Sequence, residues 1–187
     1  MSVEGMGWFS EAVIGWYRLY GDRDLPWRAT GDWWRKLLAI LLLRRTSVKL
    51  VSRVYKGLVE RLGNPLAVME SSTEELEELL RGLGLYRQRA KQLKQLVEMV
   101  VKVYRGSLPC SYSELLKLPG VGEYSASEIM LTICREPYPL LDTNTARVLS
   151  RAMGIERVRG QPYRDPRLQA VAKSLAPKEP EKAIEFY

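Results

Sequence analysis

The sequence predicts an all-α protein. Apolar residues recur at three- and four-residue spacing through most of its 187 residues. Capping signatures open those stripes, and glycine or proline closes them. No segment of strand length alternates convincingly between apolar and polar residues.

The first stripe is Trp8, Phe9, Ala12, Val13, Trp16, Tyr17 and Tyr20, and Gly21 with the 22–26 stretch ends it. Residues 33–43 are apolar almost all round, the mark of a buried helix. Val48, Val51, Val54, Tyr55, Leu58 and Leu62 follow, closed by Gly63-Asn64-Pro65. Ser72 with Glu75 makes a capping box ahead of Leu76, Leu79 and Leu80. Ala90, Leu93, Val97, Val100 and Tyr104 line a helix that Gly106 terminates. Ser111 with Glu114 is a second capping box, opening a short helix to Lys117.

A tight glycine turn, Leu118-Pro119-Gly120-Val121-Gly122, leads into a helix over about 123–134, which Pro137 and Pro139 break. Asp142 stands at an N-cap before a helix over 143–153, stopped by Gly154. Residues 159–166 read as a polar loop. Pro180 suits the first turn of a last helix that still runs at Tyr187, so the sequence closes without a C-cap.

Composition narrows the function. Hydrophobic residues at 46% and charged residues at 27% fit a globular chain and exclude a mostly disordered one. The longest apolar run, Leu37–Leu43, falls far short of the ~20 residues of a membrane helix. Residues 1–7 lack a basic segment followed by an apolar core, so no secretory signal is expected. With no histidine, every Ser–His or Cys–His scheme and every histidine metal site is excluded. Two cysteines, Cys110 and Cys134, cannot by themselves make a four-thiolate site. No disulfide framework is expected, and a reducing cytoplasm is the expected setting. A net charge of +7 favours an anionic partner, nucleic acid first, although the same excess serves solubility. Asparagine occurs only at 64 and 144, which hints at a hot habitat.

Three features can carry chemistry. The glycine turn allows φ > 0 and a close backbone approach, and the helix that follows turns several amides outward together. That suits a phosphate oxygen; it equally suits a plain helix–turn–helix corner. Asp142 caps a helix, and if it faces a cleft it can stabilise a developing cation or polarise water. Tyr124 is either core or a stacking platform.

The run Leu118-Pro-Gly-Val-Gly-Glu-Tyr-Ser-Ala-Ser-Glu-Ile, followed by Leu141-Asp142-Thr-Asn-Thr-Ala-Arg-Val-Leu-Ser-Arg151, closely resembles the helix–hairpin–helix (HhH-GPD) DNA glycosylase superfamily. Leu25-Pro26-Trp27-Arg28, Leu42-Leu43-Arg44-Arg45-Thr46 and Gly84-Leu85-Tyr86 with Arg89-Ala90 support the match, which covers roughly residues 16–155 in order. At the Tyr124 position the endonuclease III branch carries a Schiff-base lysine and the adenine branch typically a serine. Tyrosine there, with Arg44-Arg45-Thr46 where the adenine branch has a glutamine pair, resembles the archaeal G:T/G:U mismatch thymine-DNA glycosylases. The glutamate that the family commonly places six residues before the threonine is replaced by Ile40.

The resemblance implies a two-lobed all-α fold with the active site in the cleft between lobes. One lobe is a helical barrel over residues 29–135, with the helix–hairpin–helix at about 111–134; the other combines 1–28 with 136–187. It implies a monofunctional glycosylase that flips thymine or uracil out of double-stranded DNA and hydrolyses the glycosidic bond in base excision repair. Asp142 and Tyr124 are the expected catalytic residues. Arg44, Arg45 or Leu85 is expected to fill the space the base vacates, the amides of Gly120, Val121 and Gly122 to hold a phosphate, and Leu118 to belong to the same DNA-binding turn. Relatives often carry a four-cysteine 4Fe-4S cluster after the last helix; Cys110 and Cys134 do not match its spacing, so no cofactor and no metal is expected in this chain. A monomer at the nucleoid of a prokaryotic or archaeal cytoplasm is expected, with no membrane. Ile40 also keeps open a catalytically impaired DNA-binding module, or a glycosylase/lyase for another damaged base.

Overall fold

The computed structural model describes residues 7–156 and 162–187. All regular structure among them is helical, with no strand. The chain divides into two compact units. One is Arg23–Ala126; the other takes in the described residues up to Asp22 and from Ser127 to Tyr187.

The Arg23–Ala126 unit is built from α2 (Trp33–Leu43), α3 (Val48–Arg61), α4 (Pro65–Glu70), α5 (Thr73–Leu80), α6 (Tyr86–Lys102), α7 (Tyr112–Leu115) and the start of α8 (Glu123–Thr132). Asp32 caps α2 by accepting the Trp34 amide at 2.8 Å and the Arg35 amide at 3.2 Å. The helix is apolar all round because it is core: Trp34, Leu37, Leu38, Ala39, Ile40 and Leu42 are all buried. Each such large side chain contributes about 1.5–3 kcal/mol by leaving water. Trp34 Nε1–H would be costly to bury unpaired, and it donates to the Leu62 carbonyl at 2.6 Å.

Asn64 and Pro65 do more than end a stripe. The Asn64 side chain accepts the Ala67 amide at 2.9 Å and Pro65 occupies the first turn, so the same residues stop α3 and start α4. At α5 the capping box forms in both directions, Ser72 with Glu75. The helices α4 and α5 pack on α6. The second expected capping box does not form: Ser111 makes no side-chain capping bond. Glu114 instead accepts from Lys117 Nζ at 2.6 Å and from the Tyr104 hydroxyl at 2.8 Å. A cation and a phenol outbid a lone amide for the carboxylate, and the helix stops at Leu115 rather than Lys117.

The other unit joins α1 (Gly7–Tyr20) to α9 (Thr143–Ala152), α10 (Pro166–Leu175) and α11 (Pro180–Phe186). Ile14, Ala146, Leu149, Leu168, Ala172, Leu175 and Phe186 form its core. The first and last helices are also tied by polar contacts. Arg18 pairs with Glu185 at 2.7 Å, and Ser10 Oγ donates to the Leu175 carbonyl at 2.7 Å. The expected polar loop over 159–166 is corrected at its end. Residues 159–161 lie outside the described residues, 162–164 form a 3-10 turn, and Pro166 opens α10 with Asp165 as its cap.

Neither cysteine is a free thiol; Cys110 and Cys134 are both disulfide-bonded. This corrects the expectation of reduced thiols. Intracellular disulfides are rare in mesophiles but common in hyperthermophiles, which agrees with the scarcity of asparagine. Among the described residues no helix is long and apolar enough to cross a membrane.

Candidate active site

The hairpin between α7 and α8 is a compact turn. Leu118 and Val121 are buried and anchor it. The Val121 amide donates to the Leu118 carbonyl at 3.0 Å, so it closes the turn and is not available to an anion. The Gly120 and Gly122 amides have no backbone partner among the described residues. Gly120 has φ +82°, and a Cβ there would lie 3.2 Å from Gln92 Oε1 and 3.3 Å from Arg44 Nη1. The position therefore favours glycine for its backbone, and a Cβ would press on the ends of two flexible side chains. The dipole of α8 places positive potential at this end.

Two further loops meet the hairpin within the same unit. Arg44 Nη1 donates to the Gly120 carbonyl. Arg45, the next residue, has φ 54°, and Leu85, just before α6, has φ 62°. Left-handed backbone costs a non-glycine residue about 1–2 kcal/mol. Leu85 is also 55% exposed, so no core packing explains its conformation. A cavity of about 170 Å³ lies among Leu38, Leu42, Arg44, Leu85, Gln92 and Gly120.

Arg89, on α6, reaches across both loops. Its Nε donates to the Gly84 carbonyl at 2.7 Å, and its Nη1 to the Leu41 and Leu42 carbonyls at 2.9 and 3.3 Å. Its Nη2 donates to the Arg44 carbonyl and, at 2.7 Å, to Thr46 Oγ1. Burial, and then the like charge of Arg44, lower its pKa from the ordinary value, but an arginine stays protonated. Sequence reasoning used Arg89 only as part of a motif. An arginine on a helix face normally points to solvent, and nothing local marks this one as turned onto carbonyls.

Tyr124 is the second residue of α8 and is 42% exposed, so it is not a core side chain. Asp142 belongs to the other unit and is half-buried at the N-terminus of α9. Its Oδ1 accepts the Thr145 amide at 2.7 Å, and its Oδ2 accepts from Asn144 Nδ2 at 3.2 Å. Asn144 Oδ1 in turn accepts from Arg147 Nη2 at 2.6 Å. The carboxylate is thus oriented by an amide, a carboxamide and, through that carboxamide, a guanidinium. A fixed anion of this kind can stabilise a neighbouring positive charge or accept a proton from water.

The family model of the HhH-GPD superfamily base excision DNA repair proteins matches residues 38–174. The chain belongs to this family. It is 45% identical over 174 residues to the thymine-DNA glycosylase of Aeropyrum pernix, covering 93% of this chain and 78% of that protein. It is 44% identical over 178 residues to the thymine/uracil-DNA glycosylase of Pyrobaculum aerophilum, covering 95% and 77%. Among solved structures, a thermostable thymine-DNA glycosylase superposes with a TM-score of 0.82 at 27% identity, covering 95% of this chain and 80% of that one.

In this HhH-GPD chain the position of the usual glutamate, Ile40, is 5% exposed and part of the α2 core. Both cysteines are in disulfide linkage, and among the described residues no group of three or more cysteines and carboxylates could hold a metal.

Proposed function

We propose that this protein is a monofunctional DNA glycosylase that removes thymine or uracil opposite guanine and leaves the sugar–phosphate strand intact. The observation that carries the reading is Asp142: a carboxylate held from two sides at a helix N-terminus, in a base-excision family whose archaeal relatives are named for thymine and uracil.

The physics of excision assigns the roles. A stacked base is out of reach, so the nucleotide must leave the duplex, and a mismatched one leaves most readily because its pairing is weakest. As the glycosidic bond stretches, C1′ becomes cationic and the pyrimidine leaves as a stabilised anion. Asp142 stabilises the sugar cation and assists the attacking water. Tyr124 contacts the flipped base or walls off the sugar. It offers no amine, so the reaction stops at an abasic site. A purine needs an acid to protonate its ring before it leaves. With isoleucine at position 40, buried in the core, the second carboxylate is absent, which is tolerable for a pyrimidine leaving group and unfavourable for adenine. Arg45 and Leu85 fill the gap left by the flipped base, and the Gly120 and Gly122 amides hold a phosphate. A monomer suffices, acting on genomic DNA in the cytoplasm of a prokaryotic cell.

Duplexes carrying G:T, G:U, A:T and a panel of damaged bases test this in single turnover. Release from G:T and G:U above the rest is expected. Release of a different base, or none, would contradict the reading.

A further inference from the structure

We propose that Arg89 is a positioning residue for base eversion: its one guanidinium clamps the loops carrying Arg45 and Leu85 into a single preformed wedge. The inference rests on the chain being a base-flipping glycosylase, and it assigns the flipping step to a residue that does not itself face the duplex.

Arg89 makes five hydrogen bonds, all to neutral oxygens of its own chain. Gly84, whose carbonyl it holds, precedes Leu85; Arg44 and Thr46, which it also holds, bracket Arg45. The fork therefore grips the peptide units beside both exposed residues of positive φ on these loops. Strained backbone persists only where its surroundings over-determine it, and it gathers where function needs a preset shape. The remaining bonds go to Leu41 and Leu42, carbonyls near the C-terminal end of α2, so the wedge is fixed to a buried helix.

Charge makes the same point. A half-buried guanidinium beside Arg44, with no carboxylate among its hydrogen-bond partners, is an unfavourable arrangement for stability alone. Lysine would serve if only charge were needed. Only a planar fork presents donors on three sides at once, so arginine is required to span both loops. Arg44 extends the tie to the hairpin through the Gly120 carbonyl. The wedge and the phosphate-holding turn are thereby kept in register before DNA arrives, so no ordering cost is met at the moment of flipping.

The test uses the full chain and a G:T duplex with 2-aminopurine beside the target thymine. Fluorescence at saturating protein reports unstacking and needs no cleavage. Arg89→Lys keeps the charge and loses the fork; Thr46→Val keeps the arginine and removes one acceptor. For Arg89→Lys we expect near-native melting and binding, a diminished fluorescence rise, and excision from G:T slowed about 10- to 100-fold. Excision of the same thymine opposite guanine with the flanking pairs mismatched, where less stacking must be broken, should barely change. Thr46→Val should move in the same direction by less, and it carries the test alone if Arg89→Lys does not fold. Equal slowing on both substrates, or an undiminished fluorescence rise, would overturn the clamp. A wild-type protein that raises fluorescence yet excises nothing, with the rise diminished in Arg89→Lys, would sink the glycosylase reading and support the clamp; one that binds without raising fluorescence would sink the clamp.

Discussion

At Asp142 a capping bond and a chemical role share one carboxylate. Oδ1 holds the Thr145 amide and Oδ2 meets Asn144. Asparagine caps a helix about as well as aspartate, so Asp142→Asn should leave the melting curve nearly unchanged. It carries no charge, and losing one preorganised electrostatic group costs about 10²–10³ in rate. Single-turnover excision should fall by that amount while binding to mismatched DNA survives. Unchanged excision would leave Asp142 a cap and nothing more; loss of folding and binding together would make the defect structural. Tyr124 offers a complementary trial. The wild-type protein should give no covalent adduct when borohydride is added during turnover, because no amine stands at that position. Tyr124→Lys should create trapping if the side chain meets C1′, and efficient trapping by the wild type would reject the monofunctional assignment.

Among the elements, α10 shows how much a cap and its charge partner matter. Asp165 is 6% exposed, accepts the Arg167 amide at 2.9 Å, and pairs with the Arg167 guanidinium at 2.8 Å. Its hydrogen bond from that side chain holds the carboxyl below its ordinary pKa. A depressed carboxyl stabilises the fold fully above its unfolded-state pKa, about 3.9, and that contribution is lost as pH falls through the lower folded value. Asp165→Asn should therefore melt below the wild type at neutral pH, with the gap closing as the medium is made strongly acid. A gap independent of pH would show that the cap, not the charge, is what matters.

The same helix marks where sequence reading stops. The bounds of α2 are legible from the apolar run over 33–43, and the start and cap of α9 from Asp142 and its stripe; the Asp32 cap of α2 is not singled out in the sequence. In the sequence Pro166 and Asn64-Pro65 read as loop and stop, although each also starts a helix. Proline signals a boundary without saying which side of it is helical. Ser111 failed for another reason: its Glu114 partner is captured by Lys117, three residues on, and by Tyr104, ten residues before. The site divides in the same way. Asp142, Tyr124 and the glycine turn are local motifs. Arg89 acts through contacts with residues 43 to 48 positions away, and no local pattern announces those.

On the scale of the whole molecule, the excess of seven positive charges is the footprint of a polyanionic partner. Affinity for duplex DNA should fall as salt rises, with a log–log slope of about −0.9 for each phosphate neutralised. A slope near zero between low and moderate salt would reject DNA as the partner. The central claim is narrower: the chain releases thymine or uracil opposite guanine and stops there. The most direct measurement is single-turnover reaction on end-labelled G:T and G:U duplexes, with each time point split between neutral and hot-alkali treatment. The account predicts base release and an intact strand at neutral pH, with cleavage at the target appearing only after alkali. Cleavage without alkali, or no alkali-sensitive site at all, would contradict it.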